Sequence, residues 1–397
     1  MISKETDILI IGGGLTGACL ILALQGLGYN TLLVEAKPFG DKINADFDAR
    51  SLALSPATRR ILTMLGIWDL LKDHATAIHT IHVSEQHQFG ISRLEGDKDA
   101  ALGYVAEMQH INRALHHLLP EEQIIAPAKL QHLDYDNHSA TIVTDSGEMN
   151  IHAKLIVAAD GSQSSARDFC SLPAKTKSYG QHAIVANVGL NRSHEFRAYE
   201  RFTRFGPLAL LPMQGNRMSL IWAVPPKEAE RLLTLSETDF LQELQQVFGY
   251  RSGRFAKAGK RFSFPLHQVL MPNQIKWPVV FVGNAAHTLH PVAGQGFNLG
   301  LRDIATLAQC IAEQGLNPKM LQHYVQLRNH DQKAITHLTD GLIRLFTNRL
   351  PGLGLARGLG LIALDNIPVL KQLLARYARG FGGVIPDLVC EIALPRR

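Results

Sequence analysis

The sequence predicts an α/β protein. A parallel-sheet nucleotide domain, assembled from separated stretches of chain, carries an inserted antiparallel sheet and leads into a helical C-terminal region. Three observations predict this. Residues 7–35 read as strand, glycine-rich turn, helix and second buried strand, one complete βαβ unit. Over residues 180–275 the chain changes style, with alternating stretches at 183–188, 209–212 and 218–222 that suit an antiparallel sheet. Residues 279–282 then return to a short buried strand, followed by a second glycine-rich loop and a helix.

Each element follows from local chemistry. Ile8-Leu9-Ile10-Ile11 is short and wholly apolar, as a strand buried on both faces must be. Gly12-Gly13-Gly14-Leu15-Thr16-Gly17 follows, a G-x-G-x-x-G. Gly12 permits the tight turn off the strand, Gly14 lets backbone approach a pyrophosphate, and Gly17 lets the helix pack close to the strand. The helix N-terminus then offers free N–H groups and positive dipole to phosphates. Residues 16–27 have helix composition, 28–30 form a turn and 31–34 form the second strand. Glu35 ends that strand 18 positions after Gly17, where an acid accepts both ribose hydroxyls of an adenosine. This context makes the first domain Rossmann-like. Further on, residues 51–72 and 108–119 read as helices, two strands flank Asp145-Ser146-Gly147, and 155–159 is a buried strand ending at Asp160-Gly161. Taken alone, that Asp-Gly is a common turn.

Composition limits the alternatives. The chain has 397 residues, 46% hydrophobic and 19% charged, with a mild net charge of +5. That suits a globular protein with a substantial core, and the absence of a basic block interleaved with aromatics argues against nucleic acid. Cys19, Cys170, Cys310 and Cys390 lack paired spacing, so a reducing compartment is expected. The opening apolar run is too short for a signal core, and no later run reaches the ~18–20 residues of a spanning helix. A cytoplasmic protein is expected, with peripheral contact to the inner membrane left open.

The late segment runs from Gly283-Asn284-Ala285-Ala286-His287 through His290-Pro291 and Gly294-Gln295-Gly296 to Asp303. Gly294 and Gly296 let a flat ring lie against bare backbone, and the helix that starts there can stabilise negative charge on it. His287 and His290 lack a third ligand, so no metal site is expected. Gly352 to Gly358 is glycine-rich, but no strand precedes it. It reads as a turn or bend between helices rather than a second dinucleotide fold.

Together these motifs resemble the p-hydroxybenzoate hydroxylase type of FAD monooxygenase, nearly end to end. That family has an N-terminal G-x-G-x-x-G, a middle D-G and a late G-D-A-A-H followed by P-x-x-G-x-G. The matches here are Gly12 to Gly17, Asp160-Gly161 and Gly283 to Gly296. Within it the chain looks most like the ubiquinone-biosynthesis hydroxylases of the octaprenyl-methoxyphenol subgroup. Residues 47–54, 197–203, 206–213 and 339–346 support this. One departure is Asn284, which stands where the family has an Asp that hydrogen-bonds a ribityl hydroxyl; an amide loses the charge-assisted strength.

The resemblance implies a discontinuous FAD-binding domain (1–72, 98–178 and 275–340), a substrate domain (73–97 and 179–274) and a helical region at 341–397. It implies FAD held by Gly12, Gly14, Gly17, Glu35, Arg50, Arg113, Asp160, Gly161, Gly283, Asn284, Pro291, Gly294 and Gly296. It also implies NAD(P)H or another donor binding transiently. One atom of O2 would then be inserted through a flavin C4a-hydroperoxide into a polyprenylated phenol, 2-octaprenyl-6-methoxyphenol. Candidates to orient or deprotonate the phenol are Tyr199, Arg201, His287 and His290. Residues 341–397 carry Arg344, Arg349, Arg357, Lys371, Arg376 and Arg379 among apolar residues, a pattern for membrane, for a biosynthetic complex, or for packing on the FAD domain. Two other readings share these motifs: an FAD reductase or dehydrogenase acting on an isoprenoid, and a non-catalytic flavoprotein scaffold.

Overall fold

The computed structural model describes residues 2–40, 50–96, 100–348, 350 and 352–395. Its first sheet is parallel at the centre. Strand Ile2–Ile11 lies between Gly147–Ala158 and Thr31–Val34, with Val279–Phe281 and Ile124–Ile125 farther out. Ile8 and Ile10 enter the apolar cluster on one face, Leu9 and Ile11 that on the other, which is why residues 8–11 carry no polar side chain. The hairpin expected around residues 145–147 joins Ser139–Thr144 to Gly147–Ala158.

Eleven helices occur among the described residues. They are α1 Leu15–Ala23, α2 Pro56–Met64, α3 Ile67–Leu71, α4 Met108–Leu118, α5 Ser165–Phe169 and α6 Pro226–Thr234. There follow α7 Glu237–Phe248, α8 Gln295–Gln314, α9 Pro318–Thr347, α10 Leu353–Asn366 and α11 Pro368–Ala378. The helix expected over residues 51–72 is corrected. Ser51–Leu54 is a strand, paired antiparallel with Gly103–Glu107 in a three-stranded sheet that Ala75–Ile78 completes. The helix starts only at Pro56, because a residue before proline avoids the α region; Ser55 has ψ 161° and its Oγ accepts the Thr58 N–H.

The second sheet has nine strands, among them Lys175–Leu190, Arg217–Val224, Pro207–Pro212, Arg197–Phe202 and Thr80–Glu85. Its two faces do different work. One packs Ile184, Leu208, Leu220 and Trp222 under Phe240, Leu244 and Phe248 of α7. The other presents Ala183, Val185, Ile221, Ala223 and Leu266, and at its edge Phe202 stacks on Phe346 of α9 at 3.6 Å. The late segment joins the sheets: residues 279–281 belong to the first, and His287–Thr288 pairs with the strand Phe262–Leu270 of the second.

α8 and α9 are locked by the buried ion pairs Arg302–Asp331 and Arg328–Asp303, and Arg328 also pairs with Asp331 within α9, each at 2.8 Å. The turn or bend between helices expected at residues 352–358 holds only at Gly352. Gly352 is the N-cap of α10 at φ +82°, and the glycines that follow lie inside that helix. One of them, Gly358, is where loop backbone comes close: a Cβ added at Gly90 would stand 2.3 Å from the Gly358 carbonyl. α10 and α11 meet at 90° and leave Leu355, Leu359, Ile367, Val369, Leu370 and Leu373 exposed. Several cations of this region are paired, Arg344 with Asp340, Arg357 with Glu85 and Lys371 with Asp365; Arg349 lies outside the described residues. Among the described residues no single helix is long and apolar enough to cross a membrane.

Candidate active site

The first motif contains two kinds of glycine. Gly12 has φ +104°, and a Cβ there would sit 2.5 Å from the Ala159 carbonyl oxygen, just before Asp160-Gly161. A Cβ on Gly17 would sit 1.9 Å from the Gly12 oxygen. Both are demanded by the fold itself. Gly14 differs: its φ is −63° and a Cβ would meet nothing within 4 Å, so the backbone is open at the mouth of α1. Glu35 stands beside the turn. One carboxylate oxygen accepts the Gly13 N–H at 2.6 Å and the other the Lys37 N–H at 2.9 Å.

The late motif meets the first directly. A Cβ on Gly283, at φ +57°, would lie 2.9 Å from Thr16 Oγ1, and one on Gly300 would lie 3.3 Å from the Gly283 Cα. The first turn of α1 and the second turn of α8 therefore meet at Gly283. Neither helix has a side-chain cap or an acid in its first turn, whereas Ser55, Ser164, Ser236 and Asn317 cap α2, α5, α7 and α9. Helix N-termini left uncapped and without an acid are suited to anionic groups.

Asn298 holds the late loop, and sequence reasoning missed it. Its Oδ1 accepts from the Ser55 N–H (2.8 Å) and Thr58 Oγ1 (2.7 Å), while its Nδ2 donates to the carbonyls of Ala53 (3.0 Å) and Gly294 (2.7 Å). All four bonds cross to elements remote in sequence or to the loop itself, so only its place in the first turn of α8, four residues after Gly294, hinted at it. Gly294 adopts φ +59°, with Ala53 close by; Pro291 opens the same turn, and a Cβ on Gly296 would meet nothing within 4 Å.

Asp160 accepts the Ala166 N–H at 3.1 Å through Oδ2, while its buried Oδ1 has no partner among the described residues. Gly161 has φ +85° and open space beside it. Arg50, Arg113 and Asn284 are exposed. Arg113 lies on α4, the Arg50 carbonyl accepts the Met108 N–H, and the Asn284 carbonyl accepts from Thr288.

The structure does not bring together the four residues expected to act on the phenol. Tyr199 and Arg201 point to the α7 face of the second sheet, away from the late loop. Tyr199 packs edge-on against Phe248, and Arg201 donates to the Val247 carbonyl and to Ser84. Alternation along a strand decides this, since it turns residues 199 and 201 one way and Phe202 the other. His287 is buried and bonded to Asp303, which also accepts from Arg328 and Gln332. Burial raises the Asp303 pKa, but His287 and Arg328 outweigh it and hold the carboxyl well below the usual range. His290 alone lies at the loop's inner side, where its Nδ1 accepts the Val292 N–H at 3.1 Å and its ring meets Tyr179 edge to face at 4.9 Å. Burial pushes it down to about 4. Tyr179 is a second residue the sequence did not flag.

The FAD-binding domain family matches this chain over residues 5–339. This chain belongs to that FAD-dependent monooxygenase family. Among its relatives is the ubiquinone hydroxylase UbiL of Rhodospirillum rubrum, 36% identical over 95% of this chain and 90% of the relative. Another is the 3-demethoxyubiquinol 3-hydroxylase of Escherichia coli, 29% identical over 96% of this chain and all of the relative. The p-nitrophenol 4-monooxygenase PnpA of Pseudomonas putida shares the fold, with a TM-score of 0.76 at 17% identity over 96% of this chain and 99% of that one. FAD fits what the chain leaves open: bare backbone at Gly14, Gly161 and Gly296, two uncapped N-termini, and the unpartnered Asp160 Oδ1.

Proposed function

We propose that this monooxygenase hydroxylates the ring of a polyprenylated phenol in ubiquinone biosynthesis, with 2-octaprenyl-6-methoxyphenol as substrate, O2 as oxygen source and NAD(P)H as transient reductant. The full-length likeness to a ubiquinone hydroxylase, 36% over 95% of the chain, carries the reading. FAD, when bound, supplies the activation of oxygen. The chain's own residues bind and orient. Glu35 would accept the ribose hydroxyls, the α1 N-terminus at Gly14 would take the pyrophosphate, and Asp160 and Asn284 would reach the ribityl stretch. The α8 N-terminus, bare at Gly296, would favour negative charge at the ring. Arg50 and Arg113 would contribute positive charge along the cofactor's edge. Ala183, Val185, Ile221 and Ala223 offer an apolar face to the substrate and exclude water. The exposed apolar side chains of α10 and α11 would rest on the membrane that holds the prenyl tail, or on a partner in a biosynthetic complex.

The test uses FAD-loaded protein, NADH or NADPH, O2 and a methoxyphenol with a shortened prenyl chain. A product heavier by one oxygen atom is expected. Reductant oxidised with no oxygenated ring would refute the hydroxylase reading. Flotation with anionic liposomes, full chain against one ending after Arg344, tests the membrane contact; equal partitioning would refute it.

A further inference from the structure

Two buried polar atoms at the junction of the late loop and the second sheet have no hydrogen-bond partner among the described residues: Tyr179 Oη and His290 Nε2. Native interiors rarely leave such atoms unpaired, because desolvation without a partner is costly. The two belong to rings in contact at 4.9 Å. Tyr179 packs against the late-loop cluster of Val292, Phe202 and Ile343 on one side and the sheet cluster of Ala183, Ala223 and Leu266 on the other.

The protons can be assigned. The Val292 N–H donates to His290 Nδ1, so the neutral imidazole carries its proton on Nε2 and is a donor there. Burial holds this ring down to about 4, so it is neutral at physiological pH. Burial, aided by Asp340, pushes the Tyr179 hydroxyl up to about 12, so it too keeps its proton. The neighbouring charges are bound to one another: Lys177, which lies over the Tyr179 ring, pairs with Asp340, and Asp340 with Arg344. Of the two roles open to His290, orienting or deprotonating the phenol, the second is closed, because Nδ1 is occupied and Nε2 already carries a proton.

We propose that Tyr179 Oη and His290 Nε2 form a two-donor receptor for the oxygen of a phenol and hold it as the phenolate. This rests on the hydroxylase reading. Two donors aimed at one oxygen favour its charged form, and the α8 N-terminus adds positive potential from the same loop. The phenol's proton leaves to solvent water. The phenolate ring is the more electron-rich form, the one suited to accept an electrophilic oxygen.

Tyr179→Phe tests this in the FAD-loaded protein, with a short-chain prenylated 2-methoxyphenol followed by ultraviolet difference spectra across pH. FAD content is expected to hold, and thermal unfolding to stay or rise, since the deleted hydroxyl has no partner in the folded chain. The dissociation constant should rise on the order of 10–100-fold, and ionisation of the bound phenol should move to higher pH. His290→Gln, which keeps a side-chain N–H, should lose less affinity than His290→Leu. If the wild type binds the phenol and Tyr179→Phe matches its affinity and pH profile, the receptor is refuted and the hydroxylase reading stands. If the wild type binds no phenol, both fall.

Discussion

The Gly14→Val substitution should strip FAD from this enzyme while leaving the apo-protein folded. Gly14 has φ −63° and ψ 179°, backbone that any residue adopts, and a Cβ there meets nothing within 4 Å. The apo-protein then loses only the preference for glycine over valine at a helix N-cap, about 1 kcal/mol. For a chain of this size that lowers Tm by about 1–2 °C. FAD meets a branched side chain where its pyrophosphate would approach the α1 N–H groups. Losing two charge-assisted hydrogen bonds costs about 3–6 kcal/mol, roughly 10²–10⁴-fold in Kd. Gly17→Ala is the contrast. Its methyl would begin 1.9 Å from the Gly12 oxygen, so strand and helix must separate, at about 3 kcal/mol or more, with FAD bound or not. Flavin absorbance after desalting, FAD titration by fluorescence quenching and thermal unfolding of both apo-proteins make the comparison. Wild-type FAD affinity in Gly14→Val would refute the placement of the pyrophosphate. An apo-protein as unstable as Gly17→Ala would refute the claim that Gly14 is free of the fold.

Three further outcomes are expected. Asn298→Asp replaces the amide group that donates to the Ala53 and Gly294 carbonyls with an oxygen that repels them. Stability should fall by about 2–5 kcal/mol and flavin retention with it, read by thermal unfolding and absorbance; unchanged values would remove Asn298 as the anchor of the late loop. His290 sits near 4 in the folded chain against 6.5 when exposed, so its contribution to stability is whole above about pH 6.5 and is lost as pH falls toward about 4. That contribution is about 3 kcal/mol. Buried His82 is also pushed down to about 4, by burial and then by Arg251, and acts in the same window. Urea unfolding at pH 7 and pH 4.5 should therefore show a smaller acid loss in His290→Gln than in the wild type, and equal losses would contradict the assignment. Tyr199→Phe gives up one long hydrogen bond to the Arg251 carbonyl, at 3.4 Å, on the α7 face. Its turnover should match the wild type, and a large fall in kcat would return Tyr199 to the active site.

Much of the site was legible in the sequence because it is built from backbone. A G-x-G-x-x-G after an apolar run, and a glycine-rich loop before a helix, are local constraints; steric exclusion of Cβ writes them as glycine wherever backbone must pass close. The buried central strands were legible for the same kind of reason, since a strand covered on both faces tolerates no polar residue. Residues 51–54 were not. Apolar residues spaced as Leu52, Leu54, Ile61 and Leu62 fit a helix and a strand alike, and the strand's partner, Gly103–Glu107, lies some fifty residues away.

The side chains that meet across the fold were decided only by tertiary structure. Asn298 matters because Ser55, Thr58, Ala53 and Gly294 converge on it, and no local pattern marks an amide with three remote partners. Tyr199 and Arg201 fell on the far face because a strand turns neighbouring residues opposite ways, and only packing says which side α7 covers. Tyr179 and His290 became a pair because one sheet and one loop, over a hundred residues apart, press two polar atoms into an apolar junction and leave both without a partner. By itself, then, the sequence determined that this protein belongs with the FAD-dependent monooxygenases, because its motifs are local runs of glycine imposed where backbone must pass close. Which side chains meet at the late loop was left to the tertiary structure, because residues as distant as Tyr179 and His290 are brought together only by folding.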